Sequence, residues 1–506
     1  MNQRVNQRSH MSSRRRRRLR RQRMQRIIVG AVAVVLLVAI GIAAFAALNP
    51  NSKISQLIRN TGKSPTEQSG GRVPGGAAAE STEETTTEAS EEVLAARAQE
   101  ERNAWIAEAD RLAAGYDYDK AIAKIQEYPA YDTYPEMTEA ISRYEATKAT
   151  CVKWPNNGEI THIFYHTLIV DTSLAFDGDN RQDGYNEVMT TIDEFNKITL
   201  EMYNRGYVLV SIHDIAHIEV DENGVEHMVP GEIWLPEGKK PYVLSQDDVS
   251  YYHYMEYDGF ATKLVISDDY KPINEYVQPD GTVVYGSFDM VPLIDDFVEE
   301  HPDAAYRGAR GIIALTGYNG ILGYRTDSCY ETGEDLDAYQ RDWLSRHPNF
   351  DLQKEREEAA AVAQCMMDNG WEFASHSWGH RQYGQIGQND FNWDSQRWED
   401  EVEPLLGGDV DIIIFAFGDD IGDWRPYAAD NWRFQRLKSL GFDYFCNVDS
   451  TQYYVQINDN YMRMGRRNLD GQRMWEAISG GKDRLSDLFN ASEVFDPARP
   501  TPVPLY

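Results

Sequence analysis

The chain has 506 residues, enough to bury a large core and too many for one small domain. It carries 50 Lys and Arg against 81 Asp and Glu, a net charge of −31, with 30 Tyr and 11 Trp. Its four cysteines, Cys151, Cys329, Cys365 and Cys446, are widely spaced with no CxxC, which excludes a zinc ribbon and leaves disulfide pairing open.

The charge is segregated. Residues 1–26 hold eleven Arg and no acid, and Ile27 to Leu48 follow as an unbroken apolar run of 22 residues. That length spans a bilayer, and the Arg block before it predicts a cytoplasmic tail with the remainder of the chain outside. The expected location is therefore the cell membrane, single-pass, with the bulk of the chain extracellular. A signal peptide cut near Ala44-Phe45-Ala46 is the alternative. Positive-inside topology accounts for the Arg block, so no nucleic-acid partner is expected. Residues 49–92, rich in Ser, Thr, Gly and Glu, predict a disordered linker, because they have too little apolar surface to offset ordering entropy. Residues 93–150 read as a helical spacer. Apolar residues recur at helical spacing through Leu94, Trp105, Ile106 and Leu112, break at Gly115-Tyr116-Asp117, and resume at Ala121, Ile122 and Ile125.

From residue 155 to 506 short apolar runs alternate with amphipathic helices. Strands are predicted over 160–170, 207–212, 242–245, 311–315, 372–375 and 410–417, and helices over 192–205, 291–300, 352–369 and 431–440. The long insertion between Asp248 and His376 contains Asp280-Gly281, which predicts a hairpin turn. The succession predicts an α/β fold with parallel strands and covering helices, of a length that suits a (β/α) barrel. Chemistry on such a barrel sits at the carboxyl ends of its strands.

Two segments fall at such ends. His376-Ser377-Trp378-Gly379-His380 places two imidazoles at i and i+4, which on a helical turn share one side and converge on one cation. The segment lacks the Glu of H-E-x-x-H, which argues against zincin chemistry. Asp247-Asp248 follows the apolar Tyr242-Val243-Leu244, and adjacent carboxylates at a strand end point different ways. One can bind metal while the other takes a proton from water.

Ser245-Gln246-Asp247-Asp248 resembles the threonine-phenylalanine-aspartate-aspartate motif of NodB-like polysaccharide deacetylases, carbohydrate esterase family 4. His376-Ser377-Trp378-Gly379-His380 resembles that family's H-[ST]-x-x-H motif. Phe164-Tyr165-His166 and Asn204-Arg205-Gly206-Tyr207 are similar in order to the branch that deacetylates poly-N-acetylglucosamine exopolysaccharide. The resemblance covers roughly residues 158–450 and implies a distorted barrel of the NodB-homology type. It implies a divalent metal, Zn²⁺ first with Co²⁺, Ni²⁺ or Mn²⁺ as alternatives, held by Asp248, His376 and His380. It makes Asp247 the general base. The family's late Leu-x-His acid has no counterpart, since His380 is the last histidine; the permuted branch puts His166 in that role. Ile414-Phe415-Ala416-Phe417-Gly418 resembles the family's tyrosine-proline-tyrosine-glycine element, with Ala416 in place of proline.

The substrate-binding candidates are Phe417, Gly418, Trp378 and Arg425. An Arg from Asp423-Trp424-Arg425-Pro426-Tyr427 or from Arg463-Met464-Gly465-Arg466-Arg467, two clusters that read as exposed, is expected to orient Asp247. Tyr251, Tyr252, Trp378 and Trp393 are candidates for stacking on sugar rings. The function implied is removal of acetyl groups from an N-acetylated cell-surface glycan, peptidoglycan or an N-acetylglucosamine polymer. The alternatives are an O-acetyl esterase and a catalytically inactive glycan-binding protein.

Overall fold

The protein's structure is a computed structural model that describes residues 83–504. The Arg-rich tail, the apolar segment 27–48 and residues 49–82 of the expected linker lie outside them. Among the described residues no helix is long and apolar enough to cross a membrane. One compact unit runs from Glu100 to the C-terminus.

Helix α1, Glu83–Ala114, takes in the last ten residues of the predicted linker. After the Gly115-Tyr116-Asp117 break come α2, Tyr118–Gln126, and α3, Pro135–Lys148, which bury Ala121, Ile125, Met137, Ala140 and Tyr144 together. The Tyr116 hydroxyl donates to the Asp303 carbonyl at 2.8 Å, so the break itself is fastened to the following domain.

That domain is built on a sheet of nine strands: β1, Thr161–Tyr165; β2, Tyr207–Leu209; β3, Lys240–Asp247; β4, Ile312–Leu315; β5, Glu372–Ser375; β6, Ile412–Ile414; β7, Tyr444–Val448; β8, Met462–Asn468; and the short Val455–Ile457, which lies antiparallel against β8. Seven of them close a ring in the order β4-β5-β6-β7-β8-β1-β3, every pairing parallel, with β3 returning to β4. Strand β3 makes the closure possible by changing partner along its length. Its first residues pair with β2 (Leu209 opposite Tyr242), and its last pair with β4 (Ala314 opposite Asp247).

Strands buried on both faces read as continuous apolar runs, which is why β4 and β6 were legible. Outward residues such as Ile163, Leu244, Ile313 and Phe445 pack under the helices α4, Ile192–Asn204, α5, Met290–Glu300, α6, Leu352–Asp368, and α8, Trp432–Leu440. Inward residues such as Val243, Ile312, Ala374, Ile412 and Met464 fill the barrel. The predicted strand over 410–417 is shorter than its apolar run, because residues 416–418 turn with Phe417 in the left-handed region at φ 58°. Asp280-Gly281 joins Pro272–Val277 to Val283–Gly286, and Lys263–Ile266 adds a third antiparallel strand.

The sequence reading missed β7 and β8. Arg463, Arg466 and Arg467 suggested solvent, yet their exposures are 1%, 0% and 3%. Each is neutralised inside the fold: Arg463 by Asp420, Arg467 by Asp487 and Arg466 by Asp247. Buried ion pairs thus replace the apolar pattern that normally marks a parallel strand.

Candidate metal centre

Strand ends deliver the site. Asp247 is the last residue of β3 and points into the barrel; Asp248, one residue on, adopts φ 61° and so turns its carboxylate to the same mouth. A non-glycine residue in the left-handed region is costly and marks a place the surroundings over-determine. His376 continues the inward face of β5, its amide donating to the Leu315 carbonyl at 3.0 Å.

The two histidines do not lie on a helical turn as their spacing suggested. The segment is a loop, with Ser377 at φ 61° and His380 at φ 49°. It is shaped from outside. The Trp378 and Gly379 amides donate to the carboxylate of Asp394 at 2.9 and 2.8 Å, and Asp394 sits on α7, Gln388–Glu401. The Trp378 carbonyl accepts from the amides of Gly317 and Tyr318 at 2.8 and 3.0 Å. These bonds fold the loop back so that both rings meet Asp248.

Asp248 Oδ2 lies 3.5 Å from His380 Nε2 and 3.9 Å from His376 Nε2, and the three ligand atoms fall within 4.8 Å of one another. Donors about 2.0–2.2 Å from a tetrahedral ion stand about 3.4 Å apart, so the set fits a first-row divalent cation. The chemistry fits as well. His376 Nδ1 bonds to the Ile414 carbonyl at 2.8 Å, which places the ring proton there and leaves Nε2 as a lone pair toward the cleft. Burial pushes the His376 imidazole below its usual range, further than the two aspartates raise it, so the ligand form is the neutral ring. For Asp248, burial acts upward but His380 and His376 outweigh it, and the carboxyl stays ionised.

Asp247 receives both terminal nitrogens of Arg466, at 2.7 and 2.9 Å. Burial raises its pKa, but the guanidinium overcomes that and holds it well below the usual carboxylate range. Arg466 in turn stacks over Phe164 at 4.1 Å and donates to Ser245 Oγ at 3.2 Å. Gln246, the outward member of the same motif, donates to the His166 carbonyl at 3.2 Å and to Asp289 at 2.7 Å, tying the end of β3 to the segment that bears His166.

A cleft of about 350 Å³ opens over these groups, lined by His166, Asp247, Asp248, His376, His380 and Phe417 among others. His166 Nδ1 bonds to the Val188 carbonyl at 3.2 Å. Phe417 is 66% exposed and lies with its ring 4.3 Å from that of His380, so it forms a wall at the mouth and is no part of the core. Gly418 lines the cleft too, but its amide already donates to the Phe415 carbonyl at 3.0 Å and is not free for an oxyanion.

Two substrate-binding candidates stand elsewhere. Trp378 is buried against Gly317 and lines a separate cleft with Trp393 and Arg397, whose guanidinium stacks 3.5 Å over it. Arg425 is exposed beside Asp423 and does not line the metal cleft. Tyr251 is a buried donor to Asp289, and Tyr252 donates to Asp248 Oδ1 at 2.7 Å; neither presents a face for a sugar. Asp394 was not foreseen at all, since nothing in its local sequence marks it. The four cysteines are buried and free.

No protein-family model matches the chain, and no curated protein matches it in sequence. Among solved structures it is similar to the Streptococcus pyogenes deacetylase PplD in complex with acetate, at 12% identity over 69% of this chain and 100% of that one, TM-score 0.32. It is also similar to a polysaccharide deacetylase from Bacillus cereus, at 10% identity over 67% of this chain and 69% of that one, TM-score 0.32.

Proposed function

We propose that the protein is a metal-dependent hydrolase that removes acetyl groups from an N-acetylated cell-surface glycan, peptidoglycan or an N-acetylglucosamine polymer. The observation that carries this reading is the convergence of Asp248, His376 and His380 at the carboxyl ends of barrel strands, with a second, Arg-held carboxylate on Asp247 in the same cleft. Asp248, His376 and His380 would hold a divalent cation, which when bound would supply Lewis-acid chemistry toward the acetyl carbonyl and water.

The chain's own groups do the proton work. Each oxygen of Asp247 keeps a lone pair beside its Arg466 bond, and one of them accepts the proton of the attacking water. His166, in the same cleft, gives a proton to the amine nitrogen as the C–N bond breaks, so that acetate and a free amino sugar leave. Phe417 covers the mouth beside His380 and limits water around the reacting acetamide. The apolar segment 27–48 supports an anchor in the cell membrane, with this domain outside and facing the glycan.

The test is metal content and acetate release from chitooligosaccharides and cell-wall polymer, with Asp248→Ala as control. One divalent ion per chain and acetate release, both lost in Asp248→Ala, are the expected results. Release from O-acetylated sugars alone makes the protein an esterase, and glycan binding without release under any divalent metal makes it a binding protein.

A further inference from the structure

Asp248 offers two oxygens, and the structure treats them differently. Oδ2 faces the two imidazoles, whereas Oδ1 accepts the phenol proton of Tyr252 at 2.7 Å. The phenol oxygen also lies 2.9 Å from Thr316 Oγ1, which lies 3.2 Å from Ser250 Oγ. A carboxylate has no proton to give, so the chain of bonds has one direction at its end: Tyr252 must donate to Asp248, and its oxygen is left to accept from Thr316.

The ring is fixed as firmly as the hydroxyl. Tyr252 stacks between Tyr254, at 5.5 Å and 15°, and Tyr318, at 5.2 Å and 21°. Left-handed residues at Asp248 and Tyr251 bend the segment so that a residue four positions on returns over the carboxylate. Tyr318 follows Gly317 on the loop after β4, and the amides of both donate to the Trp378 carbonyl in the middle of the histidine loop. One seam therefore runs from Asp248 through Tyr252 and Tyr318 to the segment that carries His376 and His380. Gly317 is required in it: a Cβ there meets Trp378 Cδ1 at 2.1 Å.

We infer that Tyr252 is a positioning residue for the metal centre: its phenol occupies Asp248 Oδ1 and holds the carboxylate as a one-oxygen ligand, in register with the histidine loop through the Tyr318 stack. The inference rests on the reading of Asp248, His376 and His380 as metal ligands. A bond of this kind typically changes metal affinity by about 10–100-fold.

The experiment is Zn²⁺ affinity by chelator competition, for wild type and Tyr252→Phe, with the melting temperature of each measured metal-free and Zn²⁺-loaded. Tyr252→Phe keeps the stacked ring and removes only the donor. The expected result is a dissociation constant about 10–100-fold higher, an almost unchanged metal-free melting temperature and a smaller rise on loading. The Co²⁺-loaded variant is expected to show an altered visible spectrum, because Asp248 is then free to change its denticity. Unchanged Zn²⁺ affinity and Co²⁺ spectrum overturn the inference, as does an equal loss of melting temperature with and without metal, which marks a merely structural role. If Tyr252→Phe fails to fold, Thr316→Val decides by the same measurements, with a shift of a few-fold expected and no shift overturning it. Failure of wild type to bind any divalent metal instead removes the proposed function itself, so the two failures are distinguishable.

Discussion

Arg466 reaches Asp247 with both terminal nitrogens, at 2.7 and 2.9 Å, across 219 residues of sequence, and neither side chain is open to solvent. The pair keeps a buried carboxylate ionised beside the candidate metal site. Its pKa is depressed in the folded state, so the pairing contributes stability above the usual carboxylate range and loses it only as pH falls through the lowered value. Arg466→Met strands that carboxylate and is expected to cost about 3–5 kcal/mol, read by chemical denaturation. Arg466→Lys keeps a charge without the fork, and the acid limb of its kcat/KM profile is expected to move to higher pH.

The proton-donor role proposed for His166 predicts different behaviour with two kinds of leaving group. His166→Gln is expected to lower kcat on N-acetylated glycan by about 10²–10⁴-fold, the usual contribution of a general acid. On an activated aryl acetate, whose leaving group needs no proton, the same variant is expected to lose far less. Equal losses on both substrates assign His166 a role other than proton donor.

Gly317→Ala tests the seam between the β4 loop and the histidine loop. The added methyl collides with the Trp378 indole, and overpacking of this kind costs about 1–3 kcal/mol. Metal affinity is expected to fall with stability, because the displaced backbone carries the segment between His376 and His380. Calorimetry with and without Zn²⁺ measures both.

At the opposite mouth of the barrel His213 stands between Glu372, 2.5 Å from Nδ1, and Asp411, 3.2 Å from Nε2. Burial lowers its pKa, but the two carboxylates outweigh that and raise it well above the ordinary value. Its contribution to stability is therefore complete below the unfolded imidazole pKa and fades as pH rises through the folded one. Asp214 beside it is pushed up to about 6, mainly by burial, so its protonated form also favours the fold at low pH and that benefit is lost as pH rises through about 6. Both shifts have the same sign. The gap in melting temperature between wild type and His213→Gln is expected to shrink as pH rises from 5 to 9; a constant gap refutes the ion-pair role.

The sequence by itself determined the parts whose cause is local. Apolar runs marked the strands β3 to β6, amphipathic periodicity marked α4, and the two motifs sat at strand ends. Asp248, His376 and His380 were nameable as candidate ligands because their two motifs, at the ends of predicted strands, resemble those of the NodB-like family. What the tertiary structure decided is what no neighbour in sequence encodes. The histidine spacing suggested a helical turn, but Asp394, Gly317 and Tyr318 bend that segment into a loop through bonds made from distant elements. Arg425, Arg463, Arg466 and Arg467 were equal candidates for Asp247. Only the closing of β8 onto β1, which turns Arg466 inward opposite His162 and its neighbours outward, selects one of them. Tyr252 looked like a platform for sugar until its hydroxyl was seen to end on Asp248. Hydrophobic pattern is written residue by residue, whereas the partner of a buried charge or phenol is fixed only when the strands pair and the barrel closes.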